Sequence, residues 1–132
     1  MQDEIRSCPE CLQHRTTLSF MTVRFKDELK KMFAIPVPVW RCDACGYSYT
    51  EGSAENLEHD AVCRSRGLLT SREIRNLRER LGLTRKRLGE LTGFGEASIK
   101  RWETGSLIQN VSSDRLLRLL ECPGVIYILS TI

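Results

Sequence analysis

The second half of the chain carries apolar residues at helical spacing, bounded by residues that are typical of helix ends. Residues 70–73, Thr-Ser-Arg-Glu, match a capping box, in which the threonine and the glutamate each satisfy a backbone amide. Ile74, Leu77 and Leu81 follow on one helical face, and Gly82 stands where a left-handed C-terminal cap would form. The pattern predicts a helix that begins at Thr70.

Two shorter helices are predicted next, with a glycine-containing turn between them. Thr84 can cap the first helix, which carries Leu88 on its apolar face. Residues 92–95, Thr-Gly-Phe-Gly, form the turn, and the second helix runs from Glu96 to Thr104 before Gly105 stops it. Two short helices joined by such a turn are the signature of a helix-turn-helix.

A further helix and an apolar tail are predicted after a loop at residues 106–111. Ser112 or Ser113 can cap this helix, which carries four leucines between positions 116 and 120 and ends at Pro123-Gly124. Residues 125–132 are too apolar to lie fully in water. We expect them to close the helical core or to bury themselves against a second copy of the chain.

The first half shows the composition of strands instead. Residues 18–25 and 35–40 are rich in β-branched and aromatic side chains, and a polar turn at residues 26–28 follows the first run. They predict a short antiparallel sheet, whose second strand lies at an edge or is bulged because Pro36 and Pro38 have no N–H to donate. The predicted fold class is α+β.

Two domains are expected from this division. The first is a small zinc-ribbon-like domain at residues 1–63, which ends in a helical connector, and the second is an all-α domain at residues 64–132. The first holds seven Lys and Arg against ten Asp and Glu, whereas the second holds thirteen against seven. The basic domain suits a polyanion such as DNA, and the acidic domain suits solvent or a basic protein.

Composition narrows the class of protein and its compartment. Of the 132 residues, 41% are hydrophobic and 28% are charged, which excludes disordered and fibrous proteins. No apolar run approaches the length of a membrane span, and the N-terminus lacks the apolar core of a signal peptide. We therefore expect a cytoplasmic protein without a membrane partner, in which six cysteines indicate metal binding or thiol chemistry rather than disulfides.

Four of these cysteines form two C-x2-C knuckles, the spacing of a closed four-cysteine metal site. We predict that one structural Zn2+ per chain is bound by Cys8, Cys11, Cys42 and Cys45. Zinc would stabilise a domain with few large aliphatic side chains. The alternative for a C-x2-C pair is thioredoxin-like redox chemistry, but no βαβ pattern accompanies the knuckles here.

The remaining histidines and cysteines are given structural roles. His14 lies three residues after Cys11 and is expected to be a solvated loop residue, and His59 is expected on an exposed helical connector. Cys63 and Cys122 are expected to be small buried or half-exposed thiols. Because no cysteine is paired with a histidine in a recognisable catalytic motif, we predict that the protein is not an enzyme.

The helix predicted to end at Thr104 presents a cationic face for DNA. Ile99 and Trp102 point inward, and the opposite face carries Ala97, Lys100, Arg101 and Thr104. Arg101 is the first candidate for reading a guanine, and Lys100 for contacting a base or a phosphate. Glu96 can accept from cytosine N4, or it can instead favour the helix dipole and pair with Lys100.

Backbone phosphates are the expected partners of the preceding helix. Thr84, Arg85 and Lys86 stand at its N-terminus, where positive side chains oppose the helix dipole and an external anion would compensate them. The alternative is a solvated basic face. Glu103 is expected to form an internal ion pair rather than to contact DNA.

Several motifs together resemble known regulators. Residues 74–78, 83–84, 88–93 and 99–105 resemble the Xre/Cro-type helix-turn-helix of bacterial regulators. Joined to the N-terminal knuckles, the whole chain resembles the MqsA (YgiT-type) antitoxins. This resemblance implies a homodimer that binds a palindromic operator in its own promoter, and a zinc domain that neutralises a ribonuclease toxin encoded beside it.

The chain departs from that family pattern at some positions. Arg101 matches an arginine that contacts bases in the family, but Ala97 replaces an asparagine four residues earlier. Arg85 and Lys86 replace the usual Gln-Glu, and the proline common after the reading helix is absent from residues 106–111. A free-standing zinc-ribbon and helix-turn-helix transcription regulator without a toxin partner explains the same residues.

Overall fold

The chain divides into two compact units, one ending at Ala61 and the other beginning at Val62. The computed structural model describes residues 7–13, 16–50 and 54–132. The first unit is built on an antiparallel sheet and the second is helical, which confirms the predicted α+β class. Among the described residues, no helix is long and apolar enough to cross a membrane.

The sheet of the first unit is a long hairpin with a short third strand. Strand β1 spans Thr16–Lys26 and pairs along its whole length with β2, Met32–Cys42. Strand β3, Ser48–Tyr49, pairs with the end of β2, so the strand order is β1-β2-β3. Both predicted strands are confirmed, and both extend beyond the predicted ends.

Asp27 organises the turn of this hairpin. Its carboxylate accepts hydrogen bonds from the amides of Leu29 and Lys31 at 2.9 and 2.8 Å, an arrangement typical of aspartate in turns. Lys30 takes a φ of +62° to complete the turn. The ladder therefore continues to the residues that flank the turn directly.

Pro36 and Pro38 lie where a donor is not needed. The amide of Cys42 donates to the carbonyl of Tyr47, so the backbone groups of even-numbered residues in β2 point away from β1. Strand β3 has only two residues and pairs with Trp40 and Arg41. Both prolines consequently face a free edge within the described part of the chain, although β2 is the middle strand of the sheet.

Helix α1, Ala54–Ser65, is the predicted helical connector. His59 is half-buried rather than exposed, and its Nε2 atom is enclosed without a hydrogen-bond partner. The prediction of an exposed histidine was wrong because His59 shares a helical face with Val62 and Cys63, which are both buried. Burial lowers the pKa of His59, against the opposing influence of Asp60 and Glu28.

The helices of the second unit are α2 (Ser71–Arg80), α3 (Arg85–Thr92), α4 (Glu96–Thr104), α5 (Val111–Leu119) and α6 (Val125–Thr131). Helices α2, α3 and α4 follow the predicted boundaries closely, whereas α5 ends at Leu119 rather than at Pro123-Gly124 and α6 lies in the tail, for which no helix was predicted. The Thr70 capping box and the Thr84 cap are confirmed. The cap of α5 is Asn110, whose side chain accepts from the amide of Ser113, so the prediction of Ser112 or Ser113 was wrong.

One apolar cluster holds these helices together. It contains Ile74, Leu77, Leu88, Ile99, Trp102, Leu117 and Leu120. The ring of Phe94 meets Trp102 edge to face at a centroid distance of 5.0 Å, a favourable aromatic geometry. The core therefore includes residues from α2 to α5.

The apolar tail forms α6 and covers part of this core. Val125, Ile126 and Leu129 pack against the cluster. Tyr127 and Ile128 remain 74% and 57% exposed on the outer face. One face of the tail thus closes the helical core, which was the first of the two expected arrangements. The other face remains exposed.

Candidate nucleic-acid interface and metal centre

A tight turn sets α3 and α4 at their relative positions in the second unit. Gly93 caps α3 with a φ of +82°, a conformation that a residue with a β-carbon rarely adopts. Gly89 allows a second close approach, because a β-carbon there would lie 2.7 Å from the carbonyl oxygen of Phe94. Gly95, by contrast, has a φ of −65° and uses no left-handed conformation.

Helix α4 presents a polar face to solvent. Its inner positions Ile99 and Trp102 are 0% and 5% exposed. All four residues predicted for the outer face are exposed, namely Ala97, Lys100, Arg101 and Thr104. Glu96 is exposed in the first turn, and no ion pair joins it to Lys100 in the described structure.

The three residues predicted to contact phosphates at the start of α3, Thr84, Arg85 and Lys86, differ in their exposure and in their partners. The Thr84 hydroxyl accepts from the amide of Arg87 at 3.1 Å and so caps the helix. The Lys86 side chain is exposed. The Arg85 side chain is half-buried, with its Nε atom 3.5 Å from Glu103 Oε1.

Glu103 forms the internal ion pair that was predicted for it. Its side chain is fully buried and receives two hydrogen bonds from the Arg78 guanidinium, at 2.9 and 2.8 Å. This hydrogen bonding raises the pKa of Arg78. Arg78 also donates to the carbonyl of Leu83, so it links α2, the loop before α3, and α4. Glu103 thereby fixes the helix that carries the cationic face.

The first unit brings its two cysteine knuckles together with matching backbone geometry. In each knuckle the first cysteine carbonyl accepts from the amide four residues later, Leu12 in one and Gly46 in the other, at 2.9 Å. Leu12 and Gly46 both have positive φ, at 61° and 77°. Each knuckle therefore turns sharply enough to direct both of its thiols toward one point.

The four thiols meet at distances suited to a metal ion. Sγ of Cys8 lies 3.6 Å from Sγ of Cys45, and Sγ of Cys11 lies 3.6 Å from Sγ of Cys42. All four atoms lie within 4.8 Å of one another. A tetrahedral ion with metal–sulfur bonds of about 2.3 Å requires sulfur–sulfur edges of about 3.8 Å. The cluster can therefore hold a metal ion, and none of the four cysteines is in a disulfide.

Electrostatics within the cluster favour a bound cation. A hydrogen bond from the amide of Cys45 lowers the pKa of Cys42. Burial opposes this effect and the amide of Ala44 adds to it, and the resulting pKa is about 7. The amide of Tyr47 lowers the pKa of Cys45, but burial and the neighbouring thiols raise it to about 12. Thiolates crowded in this way repel one another, and a divalent cation removes the repulsion.

Cys63, Cys122 and His59 do not join this cluster. Cys63 is buried in α1 and Cys122 is exposed after α5. His59 lies in α1 and is not among the clustered ligands. His14 lies outside the described residues.

Two residues of the helical unit were missed as individual positions by sequence reasoning. Arg78 was noted only as part of a motif, and nothing local to it signals a partner 25 residues away. Gly89 carried a usable signal, since a glycine inside a predicted helix often marks a close backbone approach.

The comparisons with known proteins bear on the second unit. Residues 71–125 match a family model described as a helix-turn-helix domain. No curated protein matches the chain. The matched range contains the capped helices, the Gly93 turn and the exposed face of α4. The second unit therefore carries a helix-turn-helix domain, which supports DNA binding, and the first unit contains a four-cysteine cluster that can hold a metal ion.

Proposed function

We propose that this protein is the DNA-binding antitoxin of a type II toxin-antitoxin system. Its helix-turn-helix represses its own operon, and its zinc-binding domain, residues 1–63, binds and neutralises a ribonuclease toxin. The observation that carries the DNA-binding part is the exposed Lys100 and Arg101 face of α4 within the matched helix-turn-helix. The toxin-binding part is supported by the resemblance to the MqsA antitoxins.

In the proposed complex α4 lies in the major groove. Arg101 donates to O6 and N7 of a guanine, and Lys100 contacts a base or a phosphate. Glu96 faces a cytosine amino group. Ala97, whose side chain cannot donate or accept, makes an apolar contact such as one with a thymine methyl group.

Phosphates bind at the start of α3. The Lys86 side chain and the free amides near the Thr84 cap provide positive charge there. Arg85 reaches a phosphate from a position beside Glu103, whose carboxylate holds the Arg85 guanidinium near the helix. Arg85 therefore both attracts the phosphate and fixes where it binds.

The metal in this proposal is one Zn2+ per chain, held by Cys8, Cys11, Cys42 and Cys45. When bound, zinc supplies a closed tetrahedral link between the knuckles and no catalytic position. The donor set supports this choice, since four thiolates favour zinc among common divalent ions. The proposed role of the protein is thus binding rather than catalysis.

The proposed assembly on DNA is a homodimer on a palindromic operator. A two-fold protein places two reading helices about one helical turn apart, in register with two half-sites. The exposed outer face of α6, with Tyr127 and Ile128, is an apolar surface within the same unit. Such a surface supports association with a second copy.

The DNA-binding role is tested by replacing Arg101 with alanine. We expect Arg101→Ala to weaken binding to a duplex from the promoter of its own gene by about 5- to 150-fold, the effect of losing a bidentate guanine contact. The helical content should not change, because the side chain is exposed. Fluorescence anisotropy at one fixed salt concentration measures the affinity.

Arg72→Ala is the matched control, since Arg72 is an exposed arginine on α2 outside the proposed interface. It removes the same charge and should lower the affinity far less. Equal losses for the two variants would mean that Arg101 contributes only general charge.

The toxin-binding role is tested by co-expression with the adjacent gene. A stable complex with a small ribonuclease, whose activity is suppressed by the full chain, is the expected result. The alternative is a regulator without a toxin partner. That alternative is favoured if the adjacent gene encodes no ribonuclease or if no complex forms while operator binding persists.

A further inference from the structure

The outer edge of β1 is open in the described structure. The sheet order is β1-β2-β3, and no described strand pairs with the far side of β1. Because even-numbered residues of β2 direct their backbone groups toward β3, their partners in β1 direct theirs outward. These outward residues include Leu18, Phe20, Thr22 and Arg24.

The two edges of the hairpin differ in protection. The edge formed by β2 is interrupted by Pro36 and Pro38, which cannot donate to another strand. Strand β1 has 11 residues and contains no proline. A long edge strand without such protection can pair with an additional strand.

The side chains along the open edge are apolar at one end and cationic at the other. Leu18 and Phe20 are 44% and 67% exposed. Arg24 and Lys26 follow on the same face, since alternate residues of a strand point the same way. The hairpin from residue 16 to 42 holds five Lys and Arg against two Asp and Glu, although the whole first half is acidic.

We propose that β1 binds an extended segment of a protein partner by strand addition. The segment carries apolar side chains opposite Leu18 and Phe20, and carboxylates opposite Arg24 and Lys26. Backbone hydrogen bonds provide affinity, and alternate side chains provide selectivity. The proposal rests on the proposed function for the source of the segment, which is the ribonuclease toxin.

A single-stranded nucleic acid is the competing occupant of a basic surface with an exposed aromatic ring. The structure favours a peptide for two reasons. A single-stranded nucleic acid stacks successive bases on several exposed rings. On this hairpin Phe25 and Phe33 stack on each other, with their ring centroids 5.1 Å apart, and are half-buried, which leaves Phe20 as the exposed phenylalanine. The outward backbone groups of residues 18, 20, 22 and 24, with which no described strand pairs, match another strand rather than a base.

The first test uses a designed peptide and the full-length, zinc-loaded protein. The peptide Glu-Thr-Glu-Thr-Val-Thr-Ile-Thr-Val, aligned antiparallel to β1, places its glutamates opposite Lys26 and Arg24. The control peptide has lysines in place of both glutamates. We expect the acidic peptide to bind at least about fivefold more tightly, since two cross-strand charge pairs change sign. Amides of residues 18, 20, 22 and 24 should gain protection from hydrogen exchange.

Charge reversal in the protein gives a second readout. Arg24→Glu should abolish the preference between the peptides, because each peptide then meets one favourable and one unfavourable charge. The double variant Arg24→Glu with Lys26→Glu should reverse the preference. A preference that survives both changes, or the absence of binding by either peptide, would overturn the proposal.

Proline scanning distinguishes the two edges. Thr22→Pro removes an outward amide from the open edge of β1, whereas Ala34→Pro removes an outward amide from the opposite edge of the same hairpin. We expect only Thr22→Pro to weaken peptide binding, by at least about fivefold, the loss of one backbone hydrogen bond. Retained exchange protection at residues 19, 21 and 23 shows that each variant keeps the hairpin.

The toxin complex separates this proposal from the proposed function. If the complex forms and residues 18–24 gain protection, both are supported. A complex in which these amides remain unprotected overturns strand addition and leaves toxin binding intact. If no complex forms, toxin binding is overturned, and the peptide measurements still decide whether β1 binds an added strand. Binding of the oligonucleotide dT12 on the Phe20 face, without peptide binding, would assign the surface to nucleic acid instead.

Discussion

Glu103 shows how one buried charge can fix the position of α4, the helix that we propose enters the major groove. Its carboxylate is fully buried, yet both oxygens accept hydrogen bonds from Arg78, and Arg85 lies at ion-pair distance. A buried ion pair adds little stability compared with apolar packing of the same volume. Removal of one partner is nevertheless strongly destabilising, because it leaves the other charge buried and uncompensated. The triad therefore matters chiefly for how α2, α3 and α4 are held together.

We predict that Glu103→Gln destabilises the helical unit by about 3 kcal/mol, because two arginines lose their counter-ion in a desolvated site. Glutamine keeps the volume and removes only the charge. Urea unfolding followed by the fluorescence of buried Trp102 measures the change.

Glu79→Gln is the matched control. Glu79 pairs with Arg75 on the surface, where both side chains are more than half exposed, and such pairs contribute at most about 0.5 kcal/mol. If the two variants lost equal stability, the buried triad would have no special role.

Single-residue features were predictable from sequence when their partners were local. Thr70 and Thr84 satisfy amides three residues away, so their spacing alone identified them. Asn110 acts over the same distance, but Ser112 and Ser113 offered equally good local patterns and misled the prediction. Arg78 pairs across 25 residues, and only the folded arrangement of α2 and α4 reveals it.

Among whole elements, α5 is attached to the start of α2 by Asp114. This buried carboxylate accepts hydrogen bonds from the amide of Leu69, from Gln109 and from Arg118 at 2.8, 3.0 and 2.8 Å. Burial raises the pKa of Asp114, but these donors outweigh burial and hold the pKa below its ordinary value. Helix α5 therefore depends on an ionised aspartate.

This dependence predicts acid sensitivity. A carboxylate whose folded pKa is depressed stabilises the fold above its unfolded pKa of about 3.9, and this stability is lost as the pH falls through the folded value. We predict that Asp114→Asn costs about 2 kcal/mol at pH 7, the scale of one or two charge-assisted hydrogen bonds. The difference from the natural protein should shrink steadily below pH 4.

Thermal unfolding of both proteins between pH 7 and pH 2 measures this convergence. Glu90→Gln, which removes an exposed pair with Arg87, should give a small difference at every pH. A constant gap between Asp114→Asn and the natural protein would show that the side chain acts by shape rather than by charge.

Elements were predictable where composition and spacing agreed. The prolines predicted that β2 is an edge strand or is bulged, which was wrong for the strand as a whole, because β2 pairs with β1 in a continuous register and β3 pairs with its far end. The prediction holds only locally, since no described strand pairs with β2 at Pro36 and Pro38 on the side away from β1. Residues 125–132 were recognised as too apolar for water. Whether such a segment is a strand or a helix depends on the surface it meets, and α6 forms where Val125, Ile126 and Leu129 fit the cluster.

At the scale of the whole molecule, the two units are stabilised by different physics. The helical unit has a contiguous apolar cluster that extends from α2 to α5. The first unit buries few large side chains, Val37 and Trp40 among them. Three of the four cluster cysteines are also buried or half-buried, namely Cys8, Cys11 and Cys42. We therefore expect the first unit to depend on a bound metal ion for its fold.

The knuckles illustrate what spacing can establish. Two C-x2-C motifs predicted a cluster of four thiols, and the structure places those four sulfur atoms within 4.8 Å of one another. Spacing could not reveal the open edge of β1, because the direction of its backbone groups depends on the strand register.

We predict that chelation of the metal unfolds the first unit and leaves the second folded. A structural Zn2+ contributes about 10 to 16 kcal/mol in small peptides, which is comparable to the whole stability of a typical domain. Loss of the ion also removes the link between the two knuckles, whose sulfur atoms lie 3.6 Å apart in the pairs Cys8–Cys45 and Cys11–Cys42. The helical unit has its own core and contains none of the four clustered cysteines.

Hydrogen exchange on the full chain after treatment with a zinc chelator separates the two responses. Backbone amides between β1 and β2 should lose protection, those of α4 should keep it, and operator binding should persist. Cys42→Ser should reproduce this pattern without chelator, whereas Cys122→Ser, which alters an exposed thiol outside the cluster, should not. If α4 lost protection together with β1, the units would fold as one, and the metal would stabilise the DNA-reading surface as well.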